Sequence, residues 1–207
     1  MTSSSPAPAP DGPIDRTPAT PAIDGPLSAH LLEQLEWHWR EQLRPRFDGL
    51  TDEEYRWEPV ADCWNVRPRG ESSAQIQGGS GDAVIEFAYP EPDPAPFTTI
   101  AWRLGHLVVG VLGVRNAAHF GAPPTDYMTF DYPLHAAGAL AHLDEQYRRW
   151  CAGVAALTED DLARPVGEAE GPWADRPMLT LVQHIHREVI HHGAEIALLR
   201  DLYAHTR

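Results

Sequence analysis

The sequence predicts an all-α fold, a four-helix bundle with one long crossover. Four segments carry apolar residues at helical spacing. They are joined by irregular links rich in Pro and Gly, the first of them roughly fifty residues long, as in bundles with a crossover connection. No stretch approaches the ~20 apolar residues that a transmembrane helix needs, and no internal repeat is present.

Residues 1–26 are rich in Pro, Ala, Ser and Thr and nearly free of large apolar groups. Such a segment cannot bury enough surface to offset its ordering entropy, so a disordered tail is expected there, followed by one bundle domain over 27–207. It has no apolar core of the kind a secretory signal carries. The first helix is expected over 27–47, ended by Pro45 and Gly49. The segment around Trp57 and Trp64 then reads as a structured loop over the bundle. Next, AQIQGGSGDAVIEFAYPEP alternates weakly around a GGSGD turn, which suggests a short hairpin. The second helix, 98–120, is apolar nearly all round and should lie centrally. The third spans 133–157, with Leu140, Tyr147, Cys151 and Val154 on its core face. The fourth spans 178–203.

The formal net charge of −14 argues against nucleic acid and anionic membranes as partners, because both need a basic footprint. Cys63 and Cys151 match neither a disulfide framework nor a zinc-ribbon spacing, and a reduced cytoplasm fits them best. Cys63 has no adjacent cation to activate it. All 16 basic residues are Arg and none is Lys, which fits a GC-rich genome.

The fourth helix carries the chemistry. His184, Glu188 and His192 follow one another at four-residue steps and therefore stack along one face. Taking His184 as the origin, Glu188 falls about 40° and His192 about 80° round the helix. Leu181, Ile185, Val189, Ile196 and Leu199 gather around them, which places the carboxylate and imidazole within the apolar stripe. His191 falls at the edge and His186 on the solvent side. A buried charge needs a partner, and one metal ion satisfies both groups. On the second helix, His106 shares a face with Gly110, Gly113 and Ala117, where small residues leave room for a close helix or a pocket.

His106, Glu188 and His192 are thus the expected metal ligands. Three protein ligands leave an open coordination position, as catalytic sites do. The donor set suits zinc or nickel, and also iron or manganese. His184 and His191 are candidate proton carriers. Arg103, one turn before His106, is a candidate for binding an anionic cosubstrate or for pairing with a surface carboxylate. The bland alternatives are a satisfied core histidine at 106 and a hydrogen-bonded Glu188–His192 pair without metal. A register built on His191 and Arg187 is rejected, since arginine is not a usual ligand. A ferritin-like di-iron site is disfavoured, because Glu188-x-x-His191 has no matching pairs on the other helices.

With these residues in view, WRLGHL and HIHREVIHHGAEIALLRDL resemble the DinB-like superfamily of four-helix-bundle metalloproteins, over residues from about 27 to the end. Members carry one His on the second helix and a His-x3-His pair on the fourth, followed by a pattern like x-x-Gln-Ile. His192 followed by Gly-Ala-Glu-Ile fits that register. Glu188 departs from it, but the related mycothiol-dependent maleylpyruvate isomerases use Glu-x3-His there. The resemblance implies a metal-dependent thiol transferase or isomerase acting on a small thiol and an electrophile. Mycothiol is the thiol expected if the all-Arg composition marks an actinobacterial source. A metal-dependent hydrolase and a non-enzymatic binding module remain the alternatives. A homodimer is compatible with such bundles, although the sequence shows no interface.

Overall fold

The computed structural model describes residues 24–207, so most of the tail expected over 1–26 lies outside the described residues. The chain is mostly helical, with one small sheet.

The first helix, α1 (Leu27–His38), continues through a wide turn at Trp39–Leu43 and a tight one at Arg44–Phe47. It buries Leu32, Leu35, Leu43 and Phe47. Pro45 stands at the start of the tight turn.

The crossover contains more regular structure than the sequence suggested. A one-turn helix, α2 (Asp52–Tyr55), is capped by Thr51, whose hydroxyl accepts from the Glu54 amide at 3.2 Å. Three strands follow, β1 (Val66–Pro68), β2 (Ile76–Gly78) and β3 (Ala83–Phe87), antiparallel in the order β1-β3-β2. The expected hairpin is β2 and β3, with Gly78 opposite Ile85, and β1 adds on the far side with Val66 opposite Ile85. This corrects the all-α expectation. The strand signal was weak because Ala83, Val84, Ile85 and Glu86 are all buried, so β3 is covered on both faces and lacks clean alternation.

The second helical segment starts at Thr99, whose hydroxyl accepts from the Trp102 amide at 3.3 Å. It runs as α3 (Ile100–Gly105), a π-helical stretch (His106–Gly113) and α4 (Val114–His119). Every residue from Leu107 to Gly113 is buried, as an apolar circumference requires. It packs against both α5 (Ala136–Ala155) and α7 (Met178–Thr206). On α5 the core face is Ala139, Leu143, Tyr147, Trp150 and Val154, while Leu140 and Cys151 lie half-buried at its edge. A short helix, α6 (Glu159–Ala163), opens with a capping box between Thr158 and Asp161.

The last helix, α7, also packs on α1. Leu43 fills the space that a Cβ on Gly193 would occupy. This contact helps set the rotation of α7. Its buried residues are Met178, Leu181, Val182, Ile185, His186, Val189, Gly193, Ile196 and Leu199. Their centre lies about 130° round from His184, well past the roughly 60° implied by reading the stripe around Glu188 and His192. Two corrections follow. His186, expected on the solvent side, is buried against Trp150, with ring centroids 6.1 Å apart. Glu188 and His192 lie at the rim of the apolar face rather than in its middle. Among the described residues, no helix is long and apolar enough to cross a membrane.

Candidate metal centre

His106 opens the π-helical stretch, and its ring is held on three sides. Trp102, one turn earlier, stacks on it with centroids 5.4 Å apart and an interplanar angle of 17°. Tyr127, from the loop after α4, places its hydroxyl 2.5 Å from His106 Nδ1. His192 approaches from α7, edge to face, with centroids 4.7 Å apart.

The small sheet builds this wall. Trp102 Nε1 donates to the Glu86 carbonyl at 2.8 Å, and Phe87 packs on both Trp102 and Tyr127. The Tyr127 loop is tied to the end of β2 by the Gly79 amide on the Met128 carbonyl and the Ser80 amide on the Phe130 carbonyl. The small residues beside His106 make room for this loop rather than for a helix or an open pocket. A Cβ at Gly110 would run into Tyr127 Oη, and one at Gly113 would meet Thr125.

His192 is mostly buried, 15% exposed. Its Nδ1 donates to Glu195 Oε2 at 2.7 Å, and Glu195 is also bonded by the Arg103 guanidinium. In a neutral ring, an Nδ1 proton held by a carboxylate selects the tautomer whose Nε2 can ligate a metal. Nε2 lies 3.4 Å from Glu188 Oε2. With Nδ1 of His106 taken by Tyr127, its Nε2 is likewise the nitrogen left without a hydrogen-bond partner among the described residues.

Electrostatics favour a neutral His106 and ionised Glu188 and Glu195. Burial lowers the His106 pKa to about 4, helped by His192 and opposed by Glu188. Partial burial pushes the Glu188 carboxyl upward, but Arg187, His184 and His192 outweigh it and hold it below the ordinary value. Glu195 is likewise held low, with His192 and Arg103 overcoming its burial.

The remaining sequence candidates fall further out. His184 is 43% exposed, with Nδ1 3.4 Å from Glu188 Oε1 and 2.5 Å from an Arg187 nitrogen. His191 is 61% exposed and lies 3.5 Å from Glu195 Oε1. Arg103 is turned to Glu195, so a carboxylate of the chain itself occupies it.

Among the described residues, the set of three whose ligand atoms all lie within 4.8 Å is His191, His192 and Glu195. The set expected from sequence is looser: His106 meets His192, and His192 meets Glu188, without all three closing to that distance. The two sets share His192 and differ in their other partners. Glu195 is bonded by the Arg103 guanidinium and by His192 Nδ1, and His191 is solvent-facing. His106, Glu188 and His192 offer imidazole nitrogens and a carboxylate held below its ordinary pKa, a donor type that fits a divalent ion.

The match to a known family decides the broader question. A model of the DinB superfamily matches residues 34–196, which spans every candidate ligand and reaches from within the first helix to within the last. The chain belongs to the DinB superfamily. No curated protein and no solved structure matches it.

Two residues of this DinB-superfamily site were given no role from sequence. Glu195 was legible in principle, since it follows His192 by three residues and stands where the family pattern has Gln. Tyr127 carries no local signal; only the contact of its loop with the sheet brings it to His106.

Proposed function

We propose that this DinB-superfamily protein is a metal-dependent thiol S-transferase on a four-helix bundle, using a small thiol of the mycothiol type and a small electrophile. His106, Glu188 and His192 would hold the ion, zinc or nickel by donor type. When bound, such an ion supplies positive charge that keeps a thiol sulfur ionised near neutral pH. The observation that carries this reading is the meeting of two imidazoles from separate helices, each with Nδ1 engaged by the protein, beside the Glu188 carboxylate.

The chain's own residues account for the rest. Glu195, steadied by Arg103, holds His192 in its ligating tautomer, and Tyr127 and Trp102 fix the His106 ring. His184, half-exposed beside Glu188, would carry the thiol proton to solvent. The protein lacks an activated thiol of its own. Burial raises the Cys63 thiol pKa, and burial pushes Cys151 to about 11. In this reading the sulfur nucleophile comes from a cosubstrate.

The test is elemental analysis of the purified protein, followed by conjugation of mycothiol to 1-chloro-2,4-dinitrobenzene. About one divalent ion per chain is expected, with metal content and conjugation both lost in His192→Ala. Full conjugation by metal-stripped protein would sink the proposal.

A further inference from the structure

A cleft of about 470 Å³ opens beside the candidate metal centre, within the ~300–1,000 Å³ of small-molecule sites. Its walls include Arg115, Glu170, Trp173, Arg176, His184 and Arg187. Two of these reach the metal centre: His184 Nδ1 and an Arg187 nitrogen lie 3.4 and 3.2 Å from Glu188 Oε1. Two residues of the cleft wall thus also contact a proposed ligand.

Its charge sets it apart. The chain carries a net −14, yet three of its 16 arginines line this one cleft. Among the described residues, the only carboxylate in the wall is spent internally: Glu170 Oε2 accepts from Arg115 at 3.2 Å and Oε1 faces His119 Nε2 at 2.9 Å. Arg176 forms no ion pair among the described residues, and Arg187 shares Glu188 with two histidines. The Trp173 indole is 62% exposed, and Leu181 and Val166 add apolar wall. Its segment is tied down by the Val166 amide on the Arg176 carbonyl and the Gly167 amide on the Ala174 carbonyl, so Trp173 and Arg176 stand on one anchored loop.

We propose that this cleft binds a small organic carboxylate with a flat apolar body, its carboxylate on Arg176 and Arg187 and its body against Trp173. Planar guanidinium matches carboxylate in a bidentate fork, and an indole face offers apolar contact at little entropic cost. The assignment of this ligand as the electrophilic substrate rests on the metal-dependent reading above; the binding itself does not.

The experiment is calorimetric titration of metal-free protein with 1-naphthoate and, as a neutral control, 1-naphthylmethanol. Naphthoate is expected to bind at least tenfold more tightly than the alcohol. Arg176→Gln should weaken naphthoate at least fivefold, leave the alcohol unchanged and leave metal uptake at the wild-type level. Trp173→Ala should weaken both ligands. Equal affinity for the two ligands would overturn the proposal. So would unchanged naphthoate binding in an Arg176→Gln/Arg187→Gln variant with wild-type circular dichroism. If the wild type binds naphthoate but takes up no metal, the cleft stands and the transferase reading falls. Metal uptake without naphthoate binding removes the cleft proposal and leaves the transferase reading in place.

Discussion

The rings of His106 and His192 meet edge to face, 4.7 Å between centroids, although they come from different helices. Each is held from behind, His106 by Tyr127 and His192 by Glu195. Fixed rings with one free nitrogen are what a preorganised metal site requires.

Two ligand sets share His192, and substitution separates them. His106→Ala is expected to lower zinc affinity by at least a hundredfold, whereas His191→Ala should change it less than threefold. Competitive titration against a chromophoric chelator reads both. The reverse order would assign the ion to His191, His192 and Glu195.

Glu195→Gln removes the charge that holds the His192 tautomer and leaves the largely buried Arg103 guanidinium without its anion. Metal affinity should fall about 10- to 100-fold, as for other residues that orient a ligand. Thermal stability of the metal-free protein should fall as well, by about 1–3 kcal/mol. An unchanged affinity would mean that Glu195 does not position His192.

Gly110→Ala raises helix propensity by about 1 kcal/mol, so an exposed helix would gain from it. Here the added methyl runs into Tyr127 Oη and comes 3.1 Å from His106 Nδ1. The expected outcome is a net loss of about 1–3 kcal/mol in urea unfolding, together with weaker metal binding. Tyr127→Phe in the same chain should restore part of the stability by removing the colliding hydroxyl. A stabilised Gly110→Ala single variant would contradict this packing.

His186 supplies a pH dependence. Burial holds its pKa at about 4 in the folded chain, against an ordinary value of 6.5. Between those values the unfolded chain takes up a proton that the folded one refuses, so stability falls as pH drops from about 6.5 toward 4. At pH 5 this group would account for about 2 kcal/mol. Its Nε2 has no hydrogen-bond partner, and neither has Nε1 of the neighbouring Trp150. His186→Leu should therefore lose less stability than the wild type between pH 7 and pH 5 in urea unfolding of metal-free protein. Equal losses would show that the buried imidazole does not set this part of the acid limb.

Sequence by itself determined the helical segments, because apolar periodicity and Pro or Gly stops are local signals. It also determined the ligand candidates, since four-residue steps put His184, Glu188 and His192 on one face whatever surrounds the helix. Tertiary packing decided what periodicity leaves open. Leu43 against Gly193 helps turn α7 so that His186 goes in and Glu188 stays at the rim. The buried strand β3 gave little pattern because both its faces are covered, yet it places Trp102 and Tyr127 around His106. Which of several histidines is enclosed, and by what, depends on contacts between residues far apart in the chain. No local rule encodes those.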